Sequence, residues 1–190
     1  MGSYTVIADA GKSLINLLRK ELIPELLKKE EDIALCTPDD SGNAILGLYL
    51  YDVEEVPESR NRDRIQLDRE HYKNPPTSLY LYYMLFVKTE IEVASRAVDE
   101  QRILGKAIQV FNDYAKLYSD ELDGTLKEND EELDVQGIVI PFEEKQKIYT
   151  LFDKKGLYAN FYKVGPVFIE SNRIRRVKRV TSAKFDVTKK

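Results

Sequence analysis

The chain has 190 residues and about 22.0 kDa, with 29 Lys or Arg, 33 Asp or Glu, one His, one Cys and no Trp, for a formal charge of −4. A chain of this length buries enough surface to fold without disulfides or a structural metal, and one thiol excludes an intrachain disulfide. One His and one Cys also exclude a four-ligand Cys/His zinc site, and leave His71 as the only base for a Ser-His or Cys-His mechanism.

In chain order, Ser3 or Thr5 caps a first helix whose Ile7, Ala10, Leu14, Leu18 and Leu22 recur at spacings of three and four, running to about Leu27 with a kink or restart at Pro24. Nothing before it reads as a signal peptide, and the longest apolar run, Leu79 to Val87, is half of a membrane span. Cys36 follows apolar residues and reads as a small buried hydrophobe. After a turn at Thr37–Asn43, the stretches Ala44–Val53 and Ser78–Lys88 are apolar or aromatic on both faces, so both read as strands covered on two sides. Residues 54–77 read as a long charged loop, and His71, within Asp68–Lys73, as part of its solvated surface.

A second helix from about Ser95 carries the stripe Ile103, Leu104, Ala107, Ile108, Phe111, Ala115 and Tyr118. Residues 119–134 hold eight acids and one base, and read as a solvated acidic insert. A short strand at Gly137–Phe142, a short helix at Glu143–Phe152 and strands at Tyr158–Glu170 and Arg173–Val187 complete the chain. No repeat and no second domain is visible, so residues 1–190 read as a single domain.

Gly11-Lys12-Ser13 imitates the end of a phosphate-binding loop, but the glycine required five positions earlier is Val6 and no strand precedes it. No Gly-x-Gly-x-x-Gly pattern supports a dinucleotide. Asp39-Asp40 and Asp52 with Glu54-Glu55 are neighbouring loop acids of the kind that 33 acids produce by chance. No catalytic, cofactor-binding or metal-ligating residue is therefore assigned, and no enzyme activity is expected.

Charge segregation is more informative. Residues 171–190 carry eight bases and one acid, a net +7, so the other 170 residues carry −11. Opposite charges in separated segments permit docking within a subunit or between copies. The candidate interface residues are Arg173, Arg175, Arg176, Lys178 and Arg179 on the basic strand and Asp130, Glu131 and Glu132 in the acidic insert. The basic run alternates with aliphatic residues and lacks stacking aromatics before Phe185, which favours a protein partner over nucleic acid and leaves a polyanion as the alternative.

Five ordered blocks carry a resemblance: Leu35-Cys36-Thr37-Pro38, Leu46 to Asp52, Pro75-Pro76 leading into Leu79 to Met84, Arg102 to Val110, and Phe161 to Val167. Together they resemble the cap, or tail-terminator, proteins of phage-tail-like contractile injection systems. The resemblance implies an α+β fold, with a mixed, mostly antiparallel sheet flanked by helices. It also implies a structural role: a homo-hexameric ring at the end of inner tube and sheath distal to the baseplate, stopping their growth and joining them. The partners would be other copies of the chain and the tube and sheath proteins, with no cofactor and no membrane. Synthesis and assembly would be cytoplasmic, and release or anchoring of the particle stays open. The chain ends soon after the basic strand, which suggests a compact terminator without an added C-terminal module.

Overall fold

The computed structural model describes residues 4–57, 63–88, 96–152 and 157–176. Its architecture is α+β, as the resemblance implies, with a mostly antiparallel six-stranded sheet. The central strands arise where the chain is apolar on both faces: β2 (Leu46–Glu55), β5 (Thr77–Val87) and β8 (Tyr158–Ile169). With β1 (Ile33–Leu35), β6 (Lys116–Leu117) and β7 (Leu133–Ile138), the order is β1-β2-β5-β8-β7-β6. Only β1–β2 is a parallel pair; the others are antiparallel.

The sheet has a core on each face. On one, α1 (Val6–Leu22), α2 (Arg96–Asp113) and the short α3 (Gly124–Glu128) pack over Leu48, Leu81, Leu85 and Val164. On the other, α4 (Phe142–Leu151) covers a smaller cluster of Met84, Phe86 and Phe161, closed by Phe152. The alternation of β5 accounts for both, since Leu81, Tyr83 and Leu85 enter the first core and Met84 and Phe86 the second. Gly47 is paired with Phe86 across β2 and β5, and the Phe86 ring lies where a Cβ at 47 would stand, 2.2 Å from its ideal position.

Several expectations are corrected. α1 ends at Leu22 rather than Leu27, because Ile23 precedes Pro24 and takes the extended conformation that a following proline favours. The strand β1 was not expected; Arg19 of α1 helps hold it, donating from Nε to the Glu30 carbonyl at 3.1 Å and from Nη2 to that of Ile33 at 2.9 Å. On α2 the buried stripe is Ile103, Ala107, Val110 and Phe111; Ile108 is exposed, and Ala115 and Tyr118 lie beyond the helix end.

The supposed loop at 54–77 begins as the end of β2 and contains β3 (Ile65–Gln66) and β4 (His71–Lys73). These pair with β9 (Ile174–Arg176) in a second, three-stranded sheet of order β3-β4-β9. At two and three residues, Ile65-Gln66 and His71-Tyr72-Lys73 are too short to show an alternating hydropathy pattern, so the sequence does not reveal them. Residues 177–187 of the expected last strand lie outside the described residues.

The acidic insert is a structural part of the body, not a solvated excursion. Leu122, Leu126 and Leu133 are buried in the main core, α3 forms within the insert, and β7 starts at Leu133, four residues before the expected strand. Three leucines spaced by four and seven outweigh eight acids, whose carboxylates remain at the surface or accept hydrogen bonds.

Candidate assembly surfaces

The insert is fastened to α1 by polar contacts. Asp9, buried in the first turn, accepts at Oδ2 from the Thr125 N–H at 3.1 Å, the Thr125 hydroxyl at 2.8 Å and the Thr5 hydroxyl at 2.9 Å. Burial alone would raise its pKa, but these bonds, with the nearby Lys12 charge, bring it below the ordinary value of 3.8. One turn later, Ser13 Oγ donates to the Asp9 carbonyl at 2.8 Å and accepts the Asp123 N–H at 2.9 Å. Asn16 Nδ2 then donates to Asp123 Oδ2 at 2.8 Å. The Gly11-Lys12-Ser13 motif is thus used for packing: Gly11 faces Leu35 and Tyr83, and Ser13 caps the insert. Asp9, Ser13 and Asn16 recur at helical spacing, a signal that identifies one polar edge of α1 but not its partner.

The candidate interface residues divide between the two sheets. Arg173, Arg175 and Arg176 are exposed at or beside β9. Arg176 reaches Glu70 at 2.6 Å, and its backbone is paired with His71. Lys178 and Arg179 lie outside the described residues. In the insert, Asp130 and Glu132 are exposed and Glu132 pairs with Lys116. Glu131 is half-buried; burial raises its pKa, the Asn129 side-chain bond lowers it, and the Glu170 carboxylate raises it again. Glu170 is in turn paired with Lys73. Basic strand and acidic insert therefore find separate partners within the subunit: Glu70 for Arg176 and Lys116 for Glu132.

His71 sits on β4 and meets Asp68 through Nδ1 at 2.7 Å, a contact local to the β3–β4 turn. Cys36 is half-buried beside the smaller core, and burial pushes its thiol up to about 11. A cleft of about 470 Å³ separates the end of α2 from β7, with Ile108, Phe111, Asp134 and Tyr162 in its wall. Tyr162 Oη accepts from Asn160 Nδ2 at 3.0 Å, and burial raises the phenol's pKa. Among the described residues, no three His, Cys, Asp or Glu side chains form a group that could hold a metal ion, and no helix is long and apolar enough to cross a membrane.

Comparison with known proteins identifies the fold. A family model for the Pvc16 N-terminal domain matches residues 9–183. This chain belongs to the Pvc16 N-terminal domain family. The matched range takes in Asp9, Ser13, the whole acidic insert and all five basic candidates from Arg173 to Arg179. Two solved structures share the fold of this chain. One is the PVC sheath/tube terminator of an extracellular contractile injection system in the extended state, 14% identical with a TM-score of 0.65, covering 100% of this chain and 65% of that one. The other is the tube-terminating cap of the anti-feeding prophage, 13% identical with a TM-score of 0.59, covering 95% of this chain and 61% of that one. The present chain therefore spans less than two thirds of the length of either solved relative. No curated protein matches it.

Proposed function

We propose that this chain is the cap subunit of a phage-tail-like contractile injection particle. Copies of it form a ring, six-fold in this reading, at the end of tube and sheath distal to the baseplate, where they stop growth and join the two. The observation that supports this reading most is the correspondence of fold over 100% of the chain with a sheath/tube terminator.

The surface chemistry is of the required kind. A closed ring of identical subunits is built from heterologous contacts, in which two different patches of each copy meet. Arg173, Arg175 and Arg176 present charge at or beside the short exposed strand β9, and Lys178 and Arg179 extend the basic run in sequence. Asp130, Glu131 and Glu132 supply opposite charge elsewhere. We assign these residues to contacts with neighbouring copies or with tube and sheath, where complementary charge sets register and association rate.

Electron micrographs of particles assembled without the chain should show overlong or unstable tubes. Replacing Arg173, Arg175 and Arg176 together by Glu should produce the same defect. Particles of normal length and stability in the complete absence of the chain would overturn the reading.

A further inference from the structure

Two exposed apolar surfaces lie toward opposite ends of the main sheet. The first is a knob between β7 and α4, where Val139 is 97% and Phe142 70% exposed. It is held rigidly, because the intervening Ile140 packs into the smaller core and the Pro141 carbonyl accepts the N–H groups of Glu144 and Lys145 at 3.0 Å. Exposed Glu143 and Glu144 follow immediately, so the knob is apolar and acidic.

The second is one face of the small sheet. Cross-strand register aligns Ile65, Lys73 and Ile174 in one row, and His71 with Arg176 two residues along. Ile65, Leu67 and Ile174 are exposed, Ile174 by 59%. Segments 63–73 and 173–176 together hold six Lys or Arg against three acids, so the small sheet is net basic, and on this face Arg176, 67% exposed, lies beside the apolar row.

β7 runs toward the Tyr158 end of β8, whereas the small sheet follows from its Ile169 end. At about 3.3 Å per residue, most of the sheet's length, roughly 25 Å, separates the two surfaces. Neither can satisfy the other within one subunit, and two surfaces of opposite charge at opposite ends suit a head-to-tail contact.

We propose that Val139 and Phe142 of one copy seat on the Ile65–Ile174 face of the next, with Glu143 and Glu144 facing its basic side chains. The inference rests on the ring reading above and names its subunit contact. It assigns the partner of the basic strand to the start of α4, and leaves Asp130, Glu131 and Glu132 of the insert to contacts with tube and sheath. A preorganised knob reduces the ordering cost of association.

Two variants test it, a knob variant with Val139→Asp and Phe142→Asp, and a sheet variant with Ile174→Asp and Arg176→Glu. Aspartate is compatible with the first turn of a helix, so α4 should survive. By mass photometry, wild type should form closed rings and each variant alone should be monomeric with an unchanged circular dichroism spectrum. An equimolar mixture contains one intact pair of surfaces and should give heterodimers and nothing larger. Rings from either variant alone, or no heterodimer from two folded variants, would sink this contact while leaving the ring reading in place. If a variant misfolds, Val139→Ser and Ile174→Ser serve instead, and each should raise the concentration needed for ring formation at least tenfold. Wild-type copies that associate neither in solution nor on tube ends would sink both.

Discussion

Asp9 and Thr125 are joined twice, through the Thr125 backbone N–H and its hydroxyl, across 116 positions of sequence. This carboxylate fastens the first turn of α1 to the start of α3. Removing it with Asp9→Ala leaves buried donors without an acceptor, so the expected cost is about 2 kcal/mol. For a chain of this size that is a fall in Tm of roughly 4–8 °C. Thermal unfolding followed by circular dichroism measures it, and an unchanged Tm would refute the role.

The same pair has a pH signature. A carboxylate whose folded pKa lies below 3.8 contributes stability that is fully present above that value and is lost as pH falls through the folded value. Urea titrations at successive pH values should show wild type and Asp9→Asn converging below pH 3.8 as the carboxylate takes up its proton. A gap between them that stays constant through the acid range would contradict this.

Gly124 has φ +57, and a Cβ there would stand 2.5 Å from the Asp9 carboxyl. Gly124→Ala therefore combines a left-handed backbone with a steric conflict, for an expected loss of about 2 kcal/mol. In an Asp9→Ala background the conflict disappears and the loss should shrink to the backbone part. Additive effects in the double-mutant cycle would show that the two residues do not meet.

On the opposite face of the sheet, Gly47→Ala would drive a methyl group into the Phe86 ring. Overpacking of this kind costs about 1–3 kcal/mol, and Phe86→Leu should recover part of it by vacating the space. Chemical denaturation of the three variants is the test.

Cys36 should be unreactive in the native state. With the thiol pushed up to about 11, almost none is thiolate at pH 8, and half-burial limits access further. Labelling by a disulfide reagent at pH 8 should be slow in the folded protein and immediate in denaturant; rapid native labelling would show that the thiol is activated.

The long periodic elements were legible because each reports its own burial locally. α1 shows its face at Ala10, Leu14, Leu18 and Leu22, and β5 and β8 are apolar on both sides because a core lies on both sides. The short β3 and β4 were not, since Ile65-Gln66 and His71-Tyr72-Lys73 are too short to leave a hydropathy period. The acidic insert hides its place in the core for a related reason. Eight carboxylates dominate its composition, while Leu122, Leu126 and Leu133 decide its place.

By itself, then, the sequence determined the central strands, the first helix, the scarcity of His and Cys and the separation of charge between body and C-terminal run. Only the tertiary structure decided what those charges meet. Register between His71 and Arg176 joins segments about a hundred residues apart, and Asp9 meets Thr125 over a similar separation. Such pairings are chosen by the total free energy of the packed chain, and no local window contains both partners.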